Sequence, residues 1–270
     1  MDSRIPSVIQ PLLTDFLAQM DEQLPEFLMG FYIHGSIALD AFNPRSSDID
    51  ALAVLNRPAS QADLETLRRI HQTVAEKYPK WLLEVSYLQP ADLGRTQPPA
   101  SAPYPLYHDN KLELSADFDQ NAVTWWLLKH RGITVKGTPA GELPYHVETD
   151  TLIRWMKNNL NLYWATFTRK PARMAWLLSD YGIQWAVLGV LRQYYTFREH
   201  EITSKTGAGE YALTQLPARW HKLIREAMSI REESGTSTYQ TTVGRALDAL
   251  QFMRSIIQLC NTLADEPKDR

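Results

Sequence analysis

The stretch from Phe31 to Leu55, FYIHGSIALDAFNPRSSDIDALAVL, constrains this chain more than any other. Two apolar runs, Leu28 to Ile33 and Ile49 to Leu55, lie on either side of a Gly35-Ser36 pair, and Asp48 and Asp50 flank Ile49 at the head of the second run. Alternate residues of a strand face the same side, so the two carboxylates project together while Ile49 points into a core. Such neighbours repel unless a cation sits between them. Mg2+ fits, since it takes oxygen ligands and combines one or two carboxylates with substrate phosphates. Gly35 would let the backbone pass close to a triphosphate. Ser36 would open a short helix whose hydroxyl and free N–H groups suit phosphate oxygens, and Ser47 would add another donor. The combination suits phosphoryl chemistry carried out by positioning and charge neutralisation. The competing reading is a Gly-Ser turn with a surface pair of aspartates, for which an Asp-x-Asp opening a hydrophobic strand has no packing use.

A third acid stands in the run Trp81 to Leu88, which reads as another strand closed by Pro90. Glu84 is the lone acid among apolar neighbours there, and an ionised glutamate in such a place is expensive without a partner. If this strand neighbours the one carrying Asp48, Glu84 comes close to the metal and to an acceptor hydroxyl, and would take that hydroxyl's proton as general base. The alternative is an edge-strand residue facing solvent.

Around these motifs the chain divides. Residues 7 to 22 have helical spacing with Pro6 near the first turn, and Gln61 to Tyr78 reads as a second helix. Residues 90 to 107 carry Pro90, Pro98, Pro99, Pro103 and Pro105 and read as a long loop. A helix around Gln120 to His130 and a short strand at Ile133 to Val135 follow. Beyond about residue 145 the helical period dominates, over Leu152 to Phe167, Ile183 to Phe197, Pro217 to Arg231 and Val243 to Leu263. Strands mixed with helices, then helices alone, predict an α+β protein. Its parts are a domain over 1–145, with a mixed sheet and flanking helices, and an all-α bundle over 146–270 that closes the active-site cleft. Composition adds exclusions. A net charge of −3 argues against a broad nucleic-acid face, which needs a basic surface. A single cysteine, Cys260, excludes an intrachain disulfide and argues against a cysteine zinc site. The N-terminus lacks the pattern of a signal peptide and no apolar run is long enough to span a bilayer, so a cytoplasmic protein is expected, a monomer or small homo-oligomer.

The Gly-Ser pair followed eleven residues later by Asp-x-Asp resembles the DNA polymerase β-type nucleotidyltransferase superfamily. With the SSDID segment, the strand holding Glu84, the segment HRGITVKGTPA and the stretch LRQYYTFREHEITSKTGAGEYALTQLP, the chain is similar to the bacterial aminoglycoside 3''/9 nucleotidyltransferases, the streptomycin/spectinomycin adenylyltransferases. The resemblance implies a polymerase β-type domain followed by a helical one, with transfer of AMP from ATP to a hydroxyl of a small acceptor and release of pyrophosphate. It implies Asp48 and Asp50 as Mg2+ ligands, Glu84 as base, and Arg192 and Lys205 reaching across an interdomain cleft to the triphosphate; with Glu84 added, the three acids are the expected metal set. From the residues alone, Arg192 on an apolar helix needs a buried partner or an anionic ligand, whereas Lys205 in a polar run would also suit plain solvation. Streptomycin-using members place a tryptophan and an aspartate shortly before the helix with the arginine. Here Trp176 and Asp180 are of the right types, but their register relative to Arg192 differs. That leaves spectinomycin or an acceptor that is not an antibiotic.

Other residues are weighed against blander roles. Asp109, Glu113, Asp117 and Asp119 form an acidic segment that would suit a cationic acceptor but fits a solvated face better. His34 would contact phosphate or, as the preferred reading, hydrogen-bond to backbone at a strand end. Trp155, Tyr163, Trp164, Trp176, Trp185, Tyr194 and Tyr195 recur at helical spacing and read as bundle core, one of them free to stack on a base or acceptor, and Cys260 reads as core too. Two other functions compete: nucleotidyl transfer to a macromolecule such as tRNA or a protein, and a nucleotide-binding module without catalysis.

Overall fold

The computed structural model describes residues 2–96, 103–115 and 120–265. They form two compact units, Met1–Val147 and Glu148–Arg270. The first is α/β and the second is helical.

The first unit is built on a six-stranded mixed sheet. Its strands are β1 (Leu28–Ile33), β2 (Ile49–Leu55), β3 (Leu83–Leu88), β4 (Tyr104–His108), β5 (Lys111–Ser115) and β6 (Ile133–Lys136), in the order β5-β4-β3-β2-β1-β6. Only β2 and β3 pair in parallel; β1–β2, β1–β6, β3–β4 and β4–β5 are antiparallel. The parallel pair needs a crossover, supplied by α3 (Gln61–Lys77). That helix starts where Ser60 and Asp63 cap each other's backbone N–H groups. Arg57 adds two hydrogen bonds to the Asp63 carboxylate, at 2.5 and 2.9 Å.

Both faces of the sheet are covered, which explains why β2 is apolar throughout from Ala51 onward. Against one face, α1 (Gln10–Gln23) and α3 bury Leu13, Phe16, Leu67 and Ile70 on Phe31, Ala51, Ala53 and Val85. On the other face lies α4 (Ala122–Arg131), whose Asn121 side chain caps Val123 and Thr124 and whose Trp125 and Leu128 meet Tyr32, Leu52, Val54 and Leu88. The four-residue α2 (Gly35–Ala38) joins β1 to the segment before β2.

The helical unit comprises α5 (Thr149–Leu162), α6 (Pro171–Trp176), α7 (Asp180–Glu199), α8 (Lys205–Gln215), α9 (His221–Glu232) and α10 (Thr242–Asp265). Helix α7 is its axis. Buried residues occur on every side of it, from Ile183 to Phe197, as expected of a helix surrounded by others. Gly189 is what lets Trp164 approach: a Cβ there would stand 1.9 Å from the indole.

Several expectations are corrected. Residues 90–107 are not one loop, because Pro90–Asp92 forms a 3-10 turn and 104–108 forms β4; Pro98 and Pro99 lie outside the described residues. The hairpin β4–β5 closes on Asp109 and Asn110, both with positive φ, so the acidic segment is a tight turn running into an edge strand. Asp117 and Asp119 lie outside the described residues. Helix α1 starts at Gln10, and its first-turn proline is Pro11 rather than Pro6. Helix α7 begins at Asp180, three residues earlier than expected, because Ser179 caps it.

Candidate active site

The sheet register assembles the site. Asp50 of β2 lies opposite Glu84 of β3, and the pairing of Val85 with Tyr107 puts β4's last residue, His108, next in line. His34 follows β1 directly, and its backbone N–H donates to Asp50 O at 3.0 Å. All four side chains point to the face that α4 covers further along the strands. Asp50, Glu84 and His34 line one cavity of about 190 Å3, together with Ser86, Leu106, His108, Gln120 and Thr124.

One carboxylate oxygen from each of Asp48, Asp50 and Glu84 lies within 4.8 Å of the others. Three acids at that spacing suit a hard divalent cation with oxygen ligands. Two further observations fit a metal–triphosphate guest. The Ser36 hydroxyl oxygen is buried with no hydrogen-bond partner among the described residues. Gly35, at φ +61°, passes so close that a Cβ would stand 1.7 Å from Asp50 Oδ2. The backbone is thus cut back at the point where the carboxylate projects.

Electrostatics follow from this crowding. Burial, reinforced by the Asp48 charge, pushes the Glu84 carboxyl up to about 7, against the opposing pull of His108. His108 Nδ1 stands 2.8 Å from Glu84 Oε1, and its Nε2 stands 3.4 Å from Asp109 Oδ2. Burial also lowers the His34 imidazole to about 4, partly offset by Asp48, so it is neutral at pH 7. The backbone hydrogen bond expected of the His34 ring is absent among the described residues; the ring faces the cavity instead.

The other candidates have different surroundings. The Ser47 hydroxyl accepts from Asn43 N–H at 3.0 Å and braces the turn before β2. Ser36 does not open α2: the helix begins at Gly35, with His34 before it, and its single turn is too short to develop a helix dipole. In the helical unit, Arg192 Nε donates to Thr203 O at 3.0 Å, which ties α7 to the segment leading into α8. Lys205, the first residue of α8, holds Nζ 4.4 Å from the ring centre of Trp185. Arg192 is thus tied to the chain two residues before Lys205, and Lys205 has an aromatic neighbour rather than plain solvation. Asp180 is paired with the buried guanidinium of Arg245 at 2.6 Å, and Arg245 also meets buried Glu226 at 3.1 Å.

The aromatic residues divide between core and surface. Trp164 and Tyr194 are buried, as is Cys260. Tyr163, Trp176 and Trp185 are only half-buried and belong to a run of ring contacts that includes exposed Tyr181, with Arg173 over Tyr163, Phe167 and Trp176. The residues that sequence reasoning missed are Ser86, His108 and Gln120. Ser86, two positions after Glu84, was legible by strand alternation. The other two depend on β4 and on the entry to α4, which the prolines and the polar run before Asn121 obscured.

No helix among the described residues is long and apolar enough to cross a membrane. Residues 170–256 match the family model described as the aminoglycoside adenylyltransferase C-terminal domain. The chain is similar to a spectinomycin 9-adenylyltransferase of Campylobacter jejuni, 26% identical over 249 residues that cover 86% of this chain and 88% of that protein. Its fold is similar to that of a spectinomycin adenyltransferase from Enterococcus faecialis solved with ATP and spectinomycin. The TM-score is 0.63 and the identity 15%, over 92% of this chain and 98% of that one. The resemblance read from the sequence therefore holds in both parts of the chain.

Proposed function

We propose that this nucleotidyltransferase, a relative of the aminoglycoside adenylyltransferases, moves AMP from ATP to a hydroxyl of an aminocyclitol of the spectinomycin type and releases pyrophosphate. The observation that carries the reading is the convergence of Asp48, Asp50 and Glu84 beside the Gly35 cradle and the unpaired Ser36 hydroxyl. That group of acids suits Mg2+. Asp48 and Asp50 would hold the ion with Glu84 beside it, and the bound ion would neutralise triphosphate charge and polarise the α-phosphorus.

The chain's own residues supply the rest. Glu84 stands beside Asp48 and Asp50 as the general base; its carboxyl, at about 7 in the metal-free protein, would be lowered into its charged, proton-accepting form by the bound ion. It takes the acceptor hydroxyl proton as that oxygen bonds to the α-phosphorus and the bond to the β-phosphate oxygen breaks. His108 steadies the carboxylate from the far side of the strand pair. Gly35 and Ser36 receive triphosphate oxygens, while Arg192 and Lys205 of the helical unit offset the leaving pyrophosphate's charge. Ser47 shapes the turn that presents Asp48. Spectinomycin is preferred to streptomycin because Trp176 and Asp180 stand out of register with Arg192.

The test is pyrophosphate release from ATP with Mg2+, across a panel of aminoglycosides, spectinomycin and other hydroxylated metabolites. Turnover with spectinomycin is expected. ATP binding without turnover on any small acceptor would favour a macromolecular acceptor or a mere nucleotide binder. Glu84→Gln should keep Mg2+–ATP binding and lose turnover; unchanged turnover removes Glu84 from the role of base.

A further inference from the structure

Beneath the row of acids, the cavity has a floor that the transfer chemistry does not use. Ser86 follows Glu84 by two positions on β3, so both side chains face the same way, about 7 Å apart along the strand. Gln120, immediately before the Asn121 cap of α4, donates from Nε2 to Ser86 Oγ at 2.8 Å. Both residues are buried, at 5% exposure for Gln120 and 7% for Ser86. The other end of the amide, Gln120 Oε1, is buried with no hydrogen-bond partner among the described residues. Native proteins rarely leave such an acceptor unmatched; an ordered water or a bound guest supplies the missing donor.

The surroundings say which guest. The cavity holds about 190 Å3, room for about six water molecules at ~30 Å3 each. Its lining combines the backbone of Ala51 and Val85, whose side chains pack on the α1 and α3 face, with the apolar side chain of Leu106 and the polar groups of Glu84 and Gln120, which suits the edge of a hydroxylated ring. We infer that Gln120, held by Ser86, is a specificity subsite for the acceptor, receiving a hydrogen bond from a hydroxyl or ammonium on the carbon next to the one that carries the reacting hydroxyl. A guest that donates to both Glu84 and Gln120 Oε1, each at about 2.8 Å, would carry the O–C–C–O or O–C–C–N unit of a vicinal diol or amino alcohol. An isolated hydroxyl would satisfy Glu84 and leave the amide unmatched. The site would therefore select against simple alcohols by leaving its own acceptor group stranded.

This inference rests on the proposed transfer to a small acceptor, and the experiment separates the two. The full-length protein and its Gln120→Leu and Ser86→Ala variants are assayed for pyrophosphate release with ATP, Mg2+ and spectinomycin, and binding of spectinomycin and of ATP is measured by calorimetry. For each acceptor the wild-type protein uses, the analogue lacking the neighbouring hydroxyl or amine is compared. Wild type should prefer the intact acceptor by about 10- to 100-fold in kcat/KM. Gln120→Leu should use the two about equally and bind spectinomycin about 10- to 100-fold more weakly, with ATP affinity within twofold of wild type. Ser86→Ala, which frees the amide without removing it, should show an intermediate loss. Retained discrimination in a folded Gln120→Leu variant overturns the subsite and leaves the transfer reading standing. Absence of both turnover and acceptor binding in wild type overturns the subsite together with that reading.

Discussion

Gly35→Ala is the most direct probe of how the backbone and the acids share space. At φ +61° an alanine enters the left-handed region, which costs an L-residue about 1–2 kcal/mol. The added Cβ would also fall 1.7 Å from Asp50 Oδ2, 2.6 Å from its Cγ and 2.9 Å from its Cβ. Ordinary contact needs about 3.5 Å, so the carboxylate must retreat by more than 1 Å or the α2 turn must shift. A displacement of that size in a positioning group costs about 100-fold in rate. The variant should therefore stay folded, melting only a few degrees lower, while kcat at saturating Mg2+ and ATP falls by about two orders of magnitude or more. The assays are a thermal melt and pyrophosphate release across an Mg2+ titration, whose midpoint should move to higher Mg2+. Turnover within tenfold of wild type, with an unmoved Mg2+ midpoint, would show that Asp50 does not act from the position that Gly35 leaves clear.

Because burial and Asp48 raise Glu84 to about 7, the metal-free native state binds a proton there that the unfolded chain releases near 4.5. This carboxyl's contribution to stability therefore falls as pH rises from about 4.5 to 7; Glu84→Gln should remove that part of the slope, as should saturating Mg2+, both visible in melts against pH. The Asp63 carboxyl is held well below its ordinary 3.8 by Arg57, with further help from Ser60, so its stabilisation is present above that value and lost as pH falls through the lowered one. Asp63→Asn should cost about 1–2 kcal/mol in urea unfolding at pH 7 and less near pH 2. Arg245→Met leaves Glu226 charged and buried and should cost about 3–5 kcal/mol, or prevent folding of the helical unit. Lys205→Ala and Arg192→Ala should each raise the KM for ATP about tenfold or more while the spectinomycin affinity measured without ATP stays within twofold; unchanged ATP kinetics would remove them from the nucleotide site.

What was legible in the sequence follows from how local each signal is. The strands Leu28–Ile33 and Ile49–Leu55 were fixed by runs of apolar residues, and their ends in the structure coincide with those runs. Helices α3 and α4 carry their caps in the sequence, as Ser60 with Asp63 and as Asn121, and both were legible. The hairpin β4–β5 was not. Its first strand, YPLYH, has Pro105 at a position that pairs with Leu114 of β5, where a missing N–H is tolerated, and its second, KLELS, alternates with Leu114 left exposed at the sheet edge. Prolines and acids concealed a period of two. Helix α8 was equally hidden, because its sequence KTGAGEYALTQ holds two glycines and depends on the Ser204 cap and on packing against α7 and α9.

The site shows the same division between what a single segment carries and what pairing creates. Asp48 and Asp50 stand within three residues of one another, so their shared face is legible from strand alternation alone. Glu84 required one assumption, that its strand lies beside β2, and the register of Asp50 against Glu84 meets it directly. His108 required two more strands to be placed, and Gln120 required knowing where α4 stops short of covering the sheet. Each added element contributes one side chain to a row that runs across four strands, from His34 through Asp50 and Glu84 to His108. Helix α4 covers that face beyond the row and leaves the row itself open. The cavity therefore exists because the helix begins at Ala122, with Asn121 as its cap. Lengthening α4 backward by one turn would close the space beside Glu84 without touching any acid, which makes the cap before the helix as much a determinant of the site as the acids themselves.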